Sequence, residues 1–246
     1  MRLARSERYT KLLNSIYCHI KDLLKSIPLV SWVRSRSYSQ FWEDRLINRL
    51  VKNQRGTYID IGAGTPIWGS NTFHFYIRGW RGVTIDPIKF NVQMHKIFRK
   101  KDTQYMSIIS LSSTETSFYQ LNPWELSTTD KKIADERVEK GAKLVRTIQI
   151  RATPLSKIYE NHPIARPSLL SIDVEGSELD VLRSNDWIRF QPDIICVEEL
   201  ENPYLESPIR LFLKNVSYSL VAYNGVSSIY TWNSSTHLVS SEYQAT

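Results

Sequence analysis

Acidic side chains follow two apolar runs in the second half of the chain. Asp173 and Glu175 stand in LLSIDVEGSELDVL (169–182), and Glu198 ends IICVE (194–198). A carboxylate at a strand end takes a proton from a hydroxyl group more readily when burial raises its pKa. Carboxylates are also hard oxygen ligands, so Asp173 and Glu198 form a candidate magnesium pair. The residue types therefore predict catalytic roles for these three acids.

Structural roles remain open for the same region. Asp173 would cap the helix expected to start near Ser177, and Glu175 would be a solvated loop acid. Gly176 is expected to supply the sharp turn from strand to helix. His74 is a further candidate base, although its aromatic neighbours in FHFY favour a packed helix face.

A glycine-bearing turn upstream predicts a ligand-binding loop. YIDIGAGTPIWGSNTF (58–73) has the pattern of a strand, a turn and a helix. Gly62 and Gly64 let the backbone approach a ligand closely, and Asp60 ends the strand before them. Asp86 follows at the tip of the next strand, where an acid pairs with ribose hydroxyls. We expect a nucleoside-bearing ligand here, while a glycine turn without a ligand stays the alternative.

Two cofactor classes use such a loop. A dinucleotide fingerprint requires a third glycine three residues after Gly64, but Ile67 occupies that position. S-adenosylmethionine has no pyrophosphate and does not require that glycine. The pattern therefore favours S-adenosylmethionine over NAD.

These residues need a sheet to position them. Alternating β-branched runs and helical stretches predict an α/β fold with a mostly parallel sheet and helices on both faces. Asn224-Gly225 between two apolar runs predicts a C-terminal antiparallel hairpin. The expected strands are 57–61, 83–86, 106–111, 168–174, 193–198, 218–223 and 227–232. The expected helices are 70–78, 88–100, 128–140, 154–161 and 177–190.

The passage between the third and fourth of these strands is long. Residues 112–153 are interpreted as an insertion that covers the substrate. Its helix is expected to start with a capping box formed by Ser127 and Asp130. Trp124 and Tyr119 in this insertion, with Trp68, are candidates for an acceptor pocket.

Charge separates a basic N-terminal segment from a nearly neutral domain. Residues 1–36 carry eight basic and two acidic side chains, which leaves 24 basic and 23 acidic ones in residues 37–246. A nucleic-acid surface on the domain is therefore not expected. Apolar residues at helical spacing over 9–27 predict a basic amphipathic helix, which either packs on the domain or contacts an anionic membrane surface.

Cysteine usage and hydropathy bear on the compartment. Cys18 and Cys196 have no metal-ligand spacing, and no disulfide framework is expected. No signal peptide and no apolar run of about 20 residues are evident. We expect a cytoplasmic protein, with membrane contact only through the N-terminal helix.

Several segments, in order, resemble the FkbM-like S-adenosylmethionine-dependent methyltransferases. DVEG with the VL that follows it and P-x-I-I-x-V-E are the most specific parts. The resemblance spans residues 38–200. The segments are YSQFWEDRLI (38–47), YIDIGAGTP (58–66), SNTFHFYIRGWRGVTIDP (70–87), NPWELST (122–128), SIDVEGSELDVLRSNDW (171–187) and PDIICVE (192–198).

This resemblance implies a class I methyltransferase sheet of seven strands, the last one antiparallel. It implies O-methylation, often of sugar hydroxyls in polysaccharide or natural-product pathways. The cofactor contacts that it implies are Asp60, Gly62 and Gly64 at the methionine end, Asp86 at the ribose, and Ser70, Pro87 and Ser110. SLSS (110–113) after the third strand has no acid for the adenine amino group, and Ser110 and Ser112 are candidates for that contact. Gly64 stands where the family commonly has asparagine after GA.

The sequence therefore predicts an S-adenosylmethionine-dependent O-methyltransferase with a small-molecule or carbohydrate acceptor. An NAD-dependent oxidoreductase and a non-catalytic cofactor-binding scaffold are the alternatives. The oligomeric state and the need for Mg²⁺ are not defined by these patterns.

Overall fold

The computed structural model describes residues 37–52, 54–111, 113–200, 207–236 and 238. The predicted segment 1–36 with its helix over 9–27, and Ser112, lie outside these residues. No helix of the described part has the length and the apolar content needed to cross a bilayer.

Seven strands form the main sheet, in the order β3-β2-β1-β7-β8-β10-β9. Neighbouring strands from β3 to β8 are parallel, and β10 runs antiparallel to both β8 and β9. The predicted mostly parallel sheet with an antiparallel C-terminal hairpin is therefore confirmed. The strands are β1 (Thr57–Ile61), β2 (Arg81–Ile85), β3 (Thr103–Tyr105), β7 (Ser168–Ile172), β8 (Ile194–Glu198), β9 (Tyr218–Tyr223) and β10 (Ser227–Trp232).

Helices cover both faces of this sheet, which explains why its central strands are almost entirely buried. The helices are α1 (Glu43–Val51), α2 (Phe73–Ile77), α3 (Lys89–Phe98), α4 (Lys131–Glu139), α5 (Leu155–Asn161), α6 (Glu178–Arg183) and α7 (Pro208–Asn215). Buried residues of α1 and α2 share one core with Tyr58, Leu169 and Cys196. Buried residues of α5, α6 and α7 share the other core with Ile61 and Ile172.

The carboxyl ends of the central strands are in register. Ile61 lies opposite Ile85 on one side and Ile172 on the other, and Ile172 lies opposite Val197. Because parallel strands end on the same edge, the residues that follow these positions are close neighbours. This edge carries the candidate site.

A second sheet with the order β4-β6-β5 occupies the predicted insertion. Its strands are β4 (Ile108–Ile109), β5 (Glu115–Asn122) and β6 (Lys143–Thr153), and α4 lies between the last two. A separate small core of Ile88, Ile108, Phe118 and Ala152 holds it on the domain.

Several details of the sequence prediction were wrong, among them the predicted helix 177–190, which is α6 and ends at Arg183. The third strand of the main sheet is β3, and Ile108–Ile109 of the predicted strand 106–111 instead pair with β6, because that long strand offers them a parallel partner. The side chain that caps α4 belongs to Asp130, which accepts hydrogen bonds from the amides of Lys132 and Ile133. The hydroxyl of Ser127 is directed elsewhere, to the carbonyl of Trp124.

Candidate active site

The glycine turn and the acids of the DVEG segment meet at the carboxyl edge of the sheet. Gly62 has a φ of +74°, and a Cβ on it would lie 1.7 Å from the carbonyl oxygen of Asp173. The amide of Asp173 donates to the carbonyl of Ile61 over 3.0 Å. A side chain at position 62 is therefore excluded by the backbone at position 173.

The turn itself is held by the tip of β2. The amides of Gly62 and Ala63 both donate to the carbonyl of Ile85, over 3.0 and 3.1 Å. The amide of Gly64, whose φ is +53°, donates to Asp86 Oδ2 over 2.9 Å. Glycine fits this conformation because it carries no Cβ penalty at positive φ.

Asp86 is buried at the end of β2. Its carboxylate also accepts from the amide of Ile88 over 2.7 Å and from Asn91 Nδ2 over 3.1 Å. Burial raises the pKa of Asp86 to about 7 against the opposing effect of these hydrogen bonds. An ionised carboxylate has about four acceptor positions, so three donors leave one for a further ligand.

Asp60 is buried at the end of β1 and its carboxylate is bound within the protein. Oδ2 accepts a hydrogen bond from Thr72 Oγ1 and lies 3.7 Å from Arg99 Nη1. Burial raises the pKa of Asp60, and the Arg99 guanidinium opposes that rise. Asp60 and Thr72 lie near the two ends of the predicted ligand-binding loop, residues 58–73, which is called the cofactor loop below, and their hydrogen bond joins these ends.

The other predicted cofactor residues lie on three different segments of the chain. The hydroxyl of Ser70 is buried and accepts from the amide of Phe73 over 3.1 Å, at the start of α2. Pro87 follows Asp86 and is partly buried. Ser110 follows β4, and its amide donates to the carbonyl of Thr153 over 3.3 Å. Their contacts with a cofactor stay predictions.

Three predicted acids form one cluster. One carboxylate oxygen from each of Asp173, Glu175 and Glu198 lies within 4.8 Å of the other two. Burial and then the charge of Glu175 raise the pKa of Asp173 to about 7. Burial and then the charge of Asp173 raise the pKa of Glu198 to about 9. Because like charges at this spacing repel, the cluster favours a proton or a cation between its members.

The structure excludes the helix-capping role that the sequence left open for Asp173. Among the described residues, no donor is hydrogen-bonded to the Asp173 carboxylate, and the N-cap of α6, Ser177, makes no side-chain capping bond. Glu178 organises the turn instead, because its carboxylate accepts from the amides of Val174 and Gly176 over 3.2 and 3.0 Å. Asp173 does not cap this helix.

Glu175 is bound by the insertion. Arg137 Nη2 lies 2.6 Å from Glu175 Oε2, and Thr128 Oγ1 donates to the carbonyl of Glu175 over 3.0 Å. Glu175 has a φ of +62°, a strained conformation for a residue with a side chain. A Cβ on Gly176 would lie 2.3 Å from Ile133 Cδ1, so α4 packs directly on this turn.

Other candidate side chains lie near the turn or in the core. A Cβ on Gly64 would lie 3.2 Å from Trp124 Cη2, so this tryptophan packs against the cofactor loop. His74 is buried, and its Nδ1 lies 2.8 Å from Arg78 Nη1. Burial and the nearby Arg78 charge lower the pKa of His74 to about 4. This environment is that of a packed helix face.

Two basic residues at the site were not recognised from the sequence. Arg137 carries the charge opposite Glu175, and Arg99 carries the charge opposite Asp60. Arg99 lies four residues after His95 and eight after Asn91, a spacing that places all three on one helical face. This spacing of four residues was the feature of the sequence from which Arg99 could have been identified.

The chain has the architecture of the Rossmann-like methyltransferases, with a glycine turn and an acidic cluster at the carboxyl edge of its sheet. The family model for the methyltransferase FkbM domain matches residues 60–220, and the chain belongs to this family. The predicted family is therefore confirmed. No curated protein matches the chain.

Solved structures give low similarity scores. The methyltransferase FkbM of Methylobacillus flagellatus KT is 15% identical with a TM-score of 0.45, over 72% of this chain and 44% of that one. Monomeric WbdD is 12% identical with a TM-score of 0.43, over 85% and 44%. A Burkholderia thailandensis 1,6-didemethyltoxoflavin-N1-methyltransferase is 10% identical with a TM-score of 0.40, over 92% and 88%. The chain thus spans 44% of the length of the first two.

Proposed function

We propose that this protein transfers a methyl group from S-adenosylmethionine to a hydroxyl group of an acceptor. One observation carries the proposal: Gly62 of the cofactor loop packs on the backbone of Asp173, so the loop and the acids share one edge. Family membership supports methyl transfer as the reaction.

The residues of the cofactor loop, together with Asp86, suit S-adenosylmethionine as a ligand. Asp86 retains an acceptor position suited to a ribose hydroxyl, and the glycine turn leaves backbone close to a ligand. The missing third glycine, with Ile67 in its place, disfavours a pyrophosphate. When bound, S-adenosylmethionine supplies an electrophilic methyl group on a sulfonium centre.

The acidic cluster supplies the base. In its ionised form, Asp173 accepts the proton of the acceptor hydroxyl on a carboxylate oxygen, with Glu198 and Glu175 beside it. Burial makes Asp173 a stronger base than an exposed aspartate, because its pKa is raised to about 7. Holding the hydroxyl oxygen in line with the methyl group contributes further to the rate.

The acceptor that we propose is a carbohydrate or a related natural-product precursor. Trp124 packs against the cofactor loop, and an aromatic face near the reacting groups suits a sugar ring. The acids also suit an acceptor whose reacting hydroxyl has no negative charge near it, because nearby carboxylates would repel such a charge. One oxygen from each of the three carboxylates lies within 4.8 Å of the other two.

A divalent cation stays a prediction of the sequence. The three carboxylate oxygens are hard ligands of the kind that Mg²⁺ takes, so Asp173 and Glu198, joined by Glu175, would hold it. Such an ion would lower the pKa of an acceptor hydroxyl and offset the repulsion between the acids.

Calorimetric titration separates the proposal from its alternatives. We expect S-adenosylhomocysteine to bind and NADH not to bind; the reverse result would show a dinucleotide enzyme. A chain that binds S-adenosylhomocysteine but methylates no member of a panel of sugars and sugar nucleotides would support a scaffold.

A further inference from the structure

Three buried polar residues form a stripe along α3 and its C-cap. Asn91, His95 and Arg99 follow at intervals of four residues and are 2%, 1% and 0% exposed. Gln93 and Lys96 on the same helix are exposed, so a solvated face was available to polar residues. Burying an amide, an imidazole and a guanidinium is costly unless each finds a polar partner. Each of the three has a polar partner: Asn91 binds Asp86, His95 binds Gly64 through Nε2, and Arg99 binds Tyr58, Thr72 and Asp102.

Asn91 and His95 bind two residues that the sequence predicts to contact the cofactor, Asp86 and Gly64. Asn91 Nδ2 donates to Asp86 Oδ2 over 3.1 Å, and the same oxygen accepts from the amide of Gly64. His95 Nε2 lies 3.2 Å from the carbonyl oxygen of Gly64. Gly64 is therefore bound at its amide by Asp86 and at its carbonyl by His95. Asn91 and His95 are one turn apart on α3, so this helix sets the distance between Asp86 and Gly64.

His95 acts as a neutral donor. Burial, with the positive charge of Arg99, lowers the pKa of His95 to about 3. A carbonyl oxygen only accepts, so the proton of the neutral imidazole is on Nε2. The hydrogen bond to Gly64 therefore persists throughout the neutral pH range.

Arg99 extends the stripe to β1 and to the start of α2. Its Nη2 donates to Thr72 Oγ1 over 2.7 Å and to the hydroxyl of Tyr58 over 3.0 Å. Its Nη1 lies 3.7 Å from Asp60 Oδ2, and its Nε donates to Asp102 Oδ2 over 3.1 Å. The guanidinium thus fixes the carboxylate of Asp60 immediately before the glycine turn.

We propose that Asn91, His95 and Arg99 are positioning residues that set the geometry of the cofactor loop and thereby its affinity for the cofactor. The inference rests on the proposed function, because it takes S-adenosylmethionine as the ligand. None of the three is proposed to take part in the chemical step. Their effect is transmitted through Gly64, Asp86 and Asp60.

The test is calorimetric titration of the full chain with S-adenosylhomocysteine, at a temperature well below the melting point of each variant. His95→Leu removes the donor to Gly64, and we expect binding at least about tenfold weaker. His95→Gln keeps an amide donor and should recover most of the affinity. Lys96→Ala, an exposed change on the same helix, should leave affinity unaltered.

A folded His95→Leu variant with the wild-type affinity would overturn the proposal, and so would an equal loss in Lys96→Ala. Asn91→Leu provides a second test through a different contact, that with Asp86, and should also weaken binding about tenfold. Loss of binding through unfolding alone would appear as a lowered melting point with unchanged affinity in the folded fraction, which also contradicts positioning. Failure of the wild-type chain to bind S-adenosylhomocysteine would instead overturn the proposed function itself.

Discussion

The backbone carbonyl of Asp173 lies where a side chain of residue 62 would stand, 1.7 Å from the position of its Cβ. This contact joins the loop proposed to hold the cofactor to the segment proposed to hold the base. Because β1 and β7 are neighbours in register, it follows directly from the strand order. The geometry of the whole site depends on it.

We expect Gly62→Ala to destabilise the fold by roughly 3 kcal/mol or more, since it adds a backbone clash to positive-φ strain. Urea unfolding measures the change. The matched control is Gly141→Ala, because Gly141 also has a positive φ, +104°, but no atom within 4 Å of the added Cβ. That control should cost only about 1–2 kcal/mol. Equal losses in the two variants would contradict the contact.

Affinity for S-adenosylhomocysteine should fall as the pH is lowered through the pKa of Asp86, about 7. A ribose hydroxyl donates to the ionised carboxylate, and protonation removes an acceptor position, so binding should be about tenfold weaker at pH 6 than at pH 8. Isothermal titration at the two pH values measures this difference. Asp86→Asn should bind weakly with no such slope; a wild-type chain without the slope would exclude Asp86 as the ribose ligand.

The raised pKa of Asp86 also predicts how the stability of the ligand-free protein changes with pH. The folded chain retains a proton on Asp86 that the unfolded chain releases above about pH 4, so this group makes stability decrease as the pH rises from about 4 to 7. The difference in stability between Asp86→Asn and the wild type should therefore shift in favour of Asp86→Asn when the pH is raised from 5 to 7. Chemical unfolding at both pH values checks the difference, and an opposite order would show that Asp86 is ionised in the folded chain.

Asp173→Ala should reduce methyl transfer at least about 100-fold, because it removes the proposed base. Affinity for S-adenosylhomocysteine should change little, which separates chemistry from cofactor binding. The comparison variant is Asp180→Ala, in which an exposed acid of α6 is removed. Turnover is measured as S-adenosylhomocysteine release with an acceptor found by screening. Unchanged turnover in Asp173→Ala would remove this residue from the mechanism.

Mg²⁺ should bind the wild-type chain and bind Asp173→Asn or Glu198→Gln much more weakly, if the cluster holds a divalent cation. Titration calorimetry with MgCl₂ after chelator treatment measures this, and turnover should fall on chelation and recover on Mg²⁺ addition. Full activity in excess chelator would show that the acids work without a metal.

Arg137→Met should lower the melting temperature by roughly 2–4 °C, since it leaves Glu175 without its partner in a strained turn. It should also lower turnover, because the acid is no longer held in the cluster. Arg137→Lys should recover part of both, and Lys132→Ala, an exposed change on α4, should alter neither. Turnover and melting temperature equal to those of the wild type would show that the ion pair has no positioning effect.

The parts of the fold recognised from the sequence share one physical property. β1, β7 and β8 are buried along nearly all of their length, so most of their residues are apolar and they differ from their surroundings. The hairpin was recognised through Asn224-Gly225, where local turn chemistry specifies the structure. Three of the family segments, 58–66, 171–187 and 192–198, include residues of β1, β7 and β8.

The elements missed in the sequence depend on tertiary partners. Most of β6 is exposed, with Leu144 and Val145 more than half accessible, so its pattern is not that of a buried strand. It forms because β5 pairs with it along its length. The polar stripe of α3 was missed for a related reason: Asn91, His95 and Arg99 have the composition of a solvated helix face, and that face is buried through tertiary contacts with Asp86, Gly64 and Asp60.

The ion pair between Arg137 and Glu175 has a consequence for engineering. The sheet of β4, β5 and β6 with α4 is not an independent module, because one of its side chains completes the turn that carries the acids. A chimaera that received residues 115–153 from another protein would need a cation at the position of Arg137 and, at the position of Ile133, a side chain that packs on Gly176 as closely as Ile133 does. Changes in acceptor preference and changes at the acidic turn are therefore expected to be acquired jointly.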